Sequence, residues 1–337
     1  MQRIAIILIL FIALMNGRHG TSERPASFDS LVVQARWLMA DPGVAGQNYG
    51  PLRLEGAWQL TSRHPAFGGI SSLLVRADGG FIGLSDTGEA FGFRVSGSEG
   101  QGFVEPLPRR PEEMDVPRWK WDSESMTTDP VTGRIWVGFE GLQRICRYGP
   151  GFAAIEACKH PREMKHWDIT RSIESLVRFS DGRFMAIAEG TYGPDKANDV
   201  LLWQGDPTDP ATPPPVHLQY YGPTGYRPTD ALWLGRDRLL VLNRRLTVFD
   251  GFTAKLVMVR LPRLVKGARL VGEEIADFSP PRLTDNLEAL ALSHEGDENE
   301  ETPMLWVASD DNHLFLQRSL LLKFALPSDW VSQAPAP

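Results

Sequence analysis

Ser172-Ile173-Glu174-Ser175-Leu176, followed after a turn by Phe184-Met185-Ala186-Ile187 and then Glu189, reads as two short strands of a hairpin, with an acid where the first begins and another where the second ends. The pattern recurs in four other places. Its openings are Ile70-Ser71-Ser72-Leu73, Ser123-Glu124-Ser125-Met126, Thr229-Asp230-Ala231-Leu232 and Leu287-Glu288-Ala289-Leu290. The second runs are Phe81-Ile82-Gly83-Leu84, Ile135-Trp136-Val137, Leu239-Leu240-Val241-Leu242 and Leu305-Trp306-Val307-Ala308, and they end on Asp86, Glu140, Arg244 and Asp310. A period of about 50 to 60 residues built from short strands and turns is the signature of a β-propeller.

The first run of each copy is the natural innermost strand and the second its antiparallel neighbour, so the start of one lies beside the end of the other. Ser71, Glu124, Glu174, Asp230 and Glu288 are thereby expected in one ring at a channel mouth, with Asp86, Glu140, Glu189, Arg244 and Asp310 close by. Carboxylates packed so densely repel one another, and burial adds a desolvation cost, so they must protonate, pair with cations or hold metal. An oxygen-rich set of this kind suits Ca²⁺, or Mg²⁺, rather than zinc or copper. The alternative is a structural network in which Arg244, Arg171, Arg227 and water satisfy the acids.

Strand-like segments fill four units of four strands from Ser71 to Phe278, while the fifth, from Leu287 to Phe324, has only three. The strand-like stretch Leu52 to Thr61 supplies the missing one, giving an all-β propeller of five four-stranded blades closed by an N-terminal strand. Six blades would require a further blade between Leu246 and Phe278. The domain is expected over 51–327, preceded by a linker at 23–50 in which Phe28 to Met39 is a candidate short helix, and followed by a disordered tail at 328–337. Arg3 and the apolar run Ile4 to Met15 read as a secretory signal within 1–22, too short to span a bilayer comfortably; an uncleaved N-terminal anchor is the alternative.

The formal charge of -7, without a basic stretch interleaved with aromatics, argues against nucleic acid. The two cysteines, Cys146 and Cys158, flank Gly149-Pro150-Gly151, a strong turn signal, and are expected to face each other across a hairpin of the second blade, as a disulfide in an oxidising compartment. Free thiols are the alternative. The acidic loop His294 to Thr302 lacks the spacing of an EF-hand and reads as a solvated turn. Gly68-Gly69 reads as a strand start rather than a phosphate loop. Trp121, Arg171, Arg227 and Asp285 stand three residues ahead of the inner-strand acids, where arginines can clamp an anion or serve as counterions. His166 and His313 lie nearest the mouth as candidate acids or bases, and Trp121 as a stacking platform. Gly-x-Ser-x-Gly and Walker motifs do not occur in the sequence.

Together, Phe67-Gly68-Gly69-Ile70-Ser71-Ser72-Leu73, Leu84-Ser85-Asp86-Thr87-Gly88, Ser172-Ile173-Glu174-Ser175-Leu176 and Asp285-Asn286-Leu287-Glu288-Ala289-Leu290 resemble bacterial proteins grouped as "esterase-like activity of phytase", over roughly Phe67 to Leu326. The resemblance implies an exported propeller akin to β-propeller phytases and calcium-dependent lactonases and arylesterases. By position it makes Asp86, Glu124, Glu140, Glu174, Glu189, Asp230, Glu288 and Asp310 the metal-holding acids. Ser71 and Arg244 depart from that pattern. The expected function is a periplasmic or secreted, monomeric, metal-dependent hydrolase of a small anionic or ester substrate, with Glu174, Glu288, Arg171 and Arg227 at its chemical centre and no membrane contact beyond the N-terminus. A non-catalytic binding propeller and a lactonase are the competing expectations.

Overall fold

The computed structural model describes residues 28–95, 99–192, 196–296 and 301–332. The expected signal or anchor, and Asp297, Glu298 and Glu300 of the acidic loop, lie outside the described residues. β1 (Asp29–Trp37) and β2 (Arg53–Thr61) come first, then a unit of β3 (Ile70–Val75), β4 (Phe81–Ser85), β5 (Glu89–Phe93) and β6 (Glu99–Pro106). A second unit comprises β7 (Ser123–Thr128), β8 (Ile135–Phe139), β9 (Arg144–Tyr148) and β10 (Ile155–Lys159). The third holds β11 (Ile173–Arg178), β12 (Phe184–Tyr192), β13 (Ala197–Trp203) and β14 (Val216–Tyr221). The fourth holds β15 (Arg227–Gly235), β16 (Arg238–Thr247), β17 (Gly251–Arg260) and β18 (Arg269–Phe278). In the last, β19 (Asn286–Glu295), β20 (Thr302–Asp310) and β21 (Ser319–Ala325) are completed by β2, which pairs antiparallel with β21.

The innermost strands touch in a closed cycle, β3 on β7, β7 on β11, β11 on β15, β15 on β19 and β19 on β3. This is a β-propeller. The stretch from Leu246 to Phe278 is filled by the two long strands β17 and β18 of the fourth unit. Because each sheet is covered on both faces, its central strands read as continuous apolar runs, not an alternation. Every residue of β8 is buried, yet the pleat still sorts them: Val137 faces the first unit and Trp136 the third. Five buried clusters result, each shared by two neighbouring units.

Two segments differ from the sequence expectation. The stretch at 23–50 reads from sequence as a linker with a short helix, but Asp29–Trp37 is a strand. Leu31, Val33 and Ala35 are buried and alternate with exposed Val32, Gln34 and Arg36, a period of two rather than 3.6. β1 pairs antiparallel with both β2 and β6, bridging the last unit to the first. The residues after it are packed as well: Tyr49 is buried with its ring 5.2 Å from Phe278 and 5.0 Å from Phe324. The tail is docked as far as residue 332. Trp330 and Val331 pack on the cluster between the fourth and fifth units, and the Ser332 amide donates to the Leu234 carbonyl at 2.7 Å. Residues 333–337 lie outside the described residues.

Cys146 and Cys158 are disulfide-bonded across β9 and β10, as expected. Among the described residues no helix is long and apolar enough to cross a membrane.

Candidate functional site

Each innermost strand carries a bulge at the same place, between Ile70 and Ser72, Ser123 and Ser125, Ile173 and Ser175, Pro228 and Asp230, and Leu287 and Ala289. A bulge frees one residue from the ladder and re-aims its side chain. The freed residues are Ser71, Glu124, Glu174, Thr229 and Glu288. In the fourth unit the ring position therefore belongs to Thr229, one residue before the expected Asp230. A one-residue slip turns a side chain to the other face of its strand. Asp230 is accordingly buried in the wall, where its carboxylate accepts the Ala231 and Leu290 amides, both at 2.7 Å. It does not line the channel cavity. Thr229 and Ser71 do equivalent work, donating their hydroxyls to the Leu287 and Ser123 carbonyls of the next inner strand.

The mouth encloses about 610 Å³, lined by Asp86, Asp122, Glu124, Glu140, Glu174, Glu189, Glu288 and Asp310 together with Arg171, Arg227, Arg244, Arg245 and His313. Seven of the eight expected metal-holding acids, and the four residues expected to carry chemistry, are thus brought together. Asp122 is the acid that the sequence reading missed. It stands two residues ahead of the bulged Glu124, and its carbonyl accepts the Glu140 amide at 2.8 Å. The corresponding residues are Gly69, Ser172, Arg227 and Asn286, each paired by backbone to the ring residue at the end of its neighbouring strand. This third position was readable at the same spacing in every repeat, but its residue types vary too much to advertise it.

Charge is divided unequally around the ring. Arg244 donates to Glu288 at 2.5 Å, to the Asn286 side-chain oxygen at 2.6 Å and to Glu189 at 3.2 Å. Burial opposes its charge, but Glu288, Glu189, Glu174 and Asp310 outweigh that and hold the guanidinium protonated. Arg227 lies 3.5 Å from Glu189. On the other side Asp122, Glu124 and Glu140 each offer an oxygen within 4.8 Å of the other two. Burial first, then the neighbouring charge of Asp122, pushes Glu124 and Glu140 well above the usual carboxylate range; Asp122 also hydrogen-bonds to Glu124. Asp86 is raised by burial and by Asp122 and Glu288, and Glu174 by burial and by Glu189, Glu140 and Glu288.

His313 lies with Nε2 3.9 Å from Asp86. Gly69, at φ 61°, makes room for both, since a Cβ there would come within 2.3 Å of Asp86 and 3.0 Å of His313. His166 is not in the cavity; it pairs with Asp199 at 3.2 Å, which His217 and Trp167 also contact. Trp121 is likewise not a platform. It is fully buried, with the guanidinium groups of Arg109 and Arg144 4.0 and 4.5 Å from its ring, a pairing that satisfies the indole face and closes it to ligands. Asp285 is held by Arg318 at 3.2 Å.

Fold and site together define a β-propeller with an acidic, arginine-flanked channel mouth. The chain belongs to the phytase-like family described as "esterase-like activity of phytase", whose sequence profile matches residues 65–313. Among curated proteins none matches. Similar solved structures include the nidogen/laminin complex, at 6% identity and TM-score 0.39 over 91% of this chain and 98% of that one. The β-propeller domain of Cps50 (Swd1) from Myceliophteria thermophila is similar at 9% identity and TM-score 0.38, over 82% and 94%. A putative oxidoreductase (glucose dehydrogenase) from Thermus thermophilus is similar at 12% identity and TM-score 0.34, over 80% and 99%. Likeness this distant carries no functional meaning.

Proposed function

We propose that this protein is an exported, divalent-cation-dependent hydrolase of phosphate or carboxylic esters. The observation that supports it is the division of the ring: Arg244 compensates Glu189 and Glu288, while Asp122, Glu124 and Glu140 bring three carboxylates within 4.8 Å of one another. Three hard oxygen donors at such spacing fit Ca²⁺ better than a soft metal. Asp122, Glu124 and Glu140 would hold the ion, with Asp86 next in reach. Bound there, the ion supplies Lewis acidity at an ester oxygen.

The remaining roles fall to side chains of the same cavity. Arg171 and Arg227 are exposed at its lip and orient the anionic part of a substrate, for which the guanidinium fork is shaped. Glu174 faces the cavity and takes a proton from the attacking water; His313 returns one to the leaving group. Glu288, committed to Arg244, fixes the electrostatic frame and does not itself transfer a proton. The disulfide accords with an oxidising compartment.

The test is thermal unfolding of the purified protein with excess Ca²⁺ and with chelator, alongside a phosphoester and carboxylester screen in both conditions. Saturation at a hundred times the dissociation constant stabilises by about 2.7 kcal/mol. A raised midpoint with metal-dependent turnover is expected. A raised midpoint without turnover leaves a ligand-binding propeller with a structural ion, and an unmoved midpoint removes the metal altogether.

A further inference from the structure

The second strand of each unit ends at the mouth, so the connections that leave it, and those that enter the next inner strand, all rise on that face. Thirteen large apolar side chains are exposed among the described residues. Seven of them sit on these mouth-side connections, and only two, Val131 and Val265, on the connections at the opposite end. The asymmetry is sharpest at the tips. Phe249, in the β16–β17 turn, is 97% exposed, and Phe315, in the β20–β21 connection, is 94% exposed with Leu316 beside it.

These tips are continuous with the cavity through their own loops. Leu246 and Phe252 oppose each other in register at the base of the β16–β17 turn, and both line the cavity, giving its acidic wall one apolar strip. Asn312 and His313 line it from the loop that carries Phe315. Ile169, half exposed, immediately precedes the cavity-lining Thr170 and Arg171. The loops that line the cavity thus carry, at their tips, the most exposed aromatic rings among the described residues, and on the β16–β17 turn the connection is apolar.

We propose that the mouth-side face docks on a lipid surface, Phe249 and Phe315 inserting as its tips, so that the ester presented to the cavity is the polar end of an amphiphile. A fluid lipid layer accepts isolated protruding rings without matching their shape. A protein partner would call for a contiguous packed patch, which rings exposed to this degree on separate loops do not form. Arg171 and Arg227 then meet the anionic group of the amphiphile, and the Leu246–Phe252 strip meets the start of its chain. The docking itself is independent of turnover; the identity of the ester rests on the hydrolase reading.

Co-sedimentation with zwitterionic phosphatidylcholine vesicles, in chelator so that no ion bridges protein to phosphate, tests it. The wild type is expected to be retained, the double variant Phe249→Ser/Phe315→Ser to bind at least about tenfold more weakly, and Val131→Ser to bind as wild type does. Both altered rings are exposed, and an unchanged unfolding midpoint confirms that the fold survives. A wild type that ignores vesicles overturns the proposal, as does an equal loss in Val131→Ser. So does a dimer dispersed by Phe249→Ser without vesicle binding, which assigns the rings to contact between copies. Vesicle binding without hydrolysis of either short- or long-chain esters sustains the docking and removes the hydrolase reading alone.

Discussion

The two sides of the acidic ring answer one electrostatic problem in different ways. On the side of the fourth and fifth units the chain supplies its own cation: Arg244 reaches Glu288, Glu189 and Asn286 from a position where the other repeats carry an acid. On the side of the second unit the repeat adds an acid, Asp122, beside Glu124 and Glu140. One side is compensated by a ring arginine, and the other gathers a third carboxylate where, on the proposed reading, a divalent cation binds. Stability on the first side should be indifferent to chelators, and on the second it should depend on them.

The largest expected effect tests the first side. Arg244→Met leaves Glu288 buried without its arginine and Glu189 with only the longer contact to Arg227, and should destabilise by about 3 kcal/mol or more, measured by urea unfolding in chelator. A loss no greater than that from altering the exposed Arg36–Asp41 pair would mean the network is not structural. Next, Glu124→Gln or Asp122→Asn should remove most of the Ca²⁺-dependent gain, itself about 2.7 kcal/mol near saturation, while making the chelated protein at neutral pH no less stable, since the amide relieves the crowding of charge. If Arg244→Met abolished the Ca²⁺ response as completely, the division of the ring would be lost.

The third prediction concerns pH in chelator. Glu124, Glu140 and Asp86 have raised values in the folded state, so between the ordinary carboxylate range and those values the folded protein holds protons that the unfolded chain has released. The stability they lend is complete below about pH 4 and is lost as pH rises through that interval, each group giving up about 1.4 kcal/mol for every pH step of one that it crosses while still protonated. The midpoint in chelator should therefore fall from about pH 5 to about pH 7.5, and excess Ca²⁺ should flatten or reverse that slope. A flat profile in chelator would place these acids in water. The smallest effect is expected from Asp230→Asn, which weakens two bonds to backbone amides for about 1 kcal/mol and leaves the Ca²⁺ response intact. An altered response would return Asp230 to the ring.

Sequence periodicity carried the fold well because the repeat appears twice in each unit, as an inner strand and its neighbour, and both runs are apolar enough to align. Where it slipped, it slipped by a single residue. Thr229-Asp230 contains an acid, and the eye aligns acid with acid; the bulge placed Thr229 in line with Glu174 and put Asp230 where Ser175 stands. Bulges leave little trace in composition. Asp122 escaped for the opposite reason, since it occupies a position whose residues range from glycine to arginine. The strand at Asp29–Trp37 was written in its alternation of Leu31, Val33 and Ala35, but Gln and Arg between them also suit a helix, and only pairing with β2 and β6 decides the matter. Loop-tip rings such as Phe249 and Phe315 have no periodic signal; their position at the mouth exists only once the ring is closed.

The outer rim of the ring has its own economy. β6 and β2 are both capped by β1, and β14 and β18 pair with each other in parallel over three residues, so four of the five outer strands have a strand partner on their outer side. Among the described strands, β10 alone keeps a bare outer edge, the kind of ladder that recruits stray chains. That same strand carries Cys158, bound to its hairpin neighbour, and charged Glu156 and Lys159 along its five residues. The crosslink fastens that outermost strand to its hairpin neighbour, so a chain folded where thiols stay reduced should fray first at this edge, exposing more ladder to other chains.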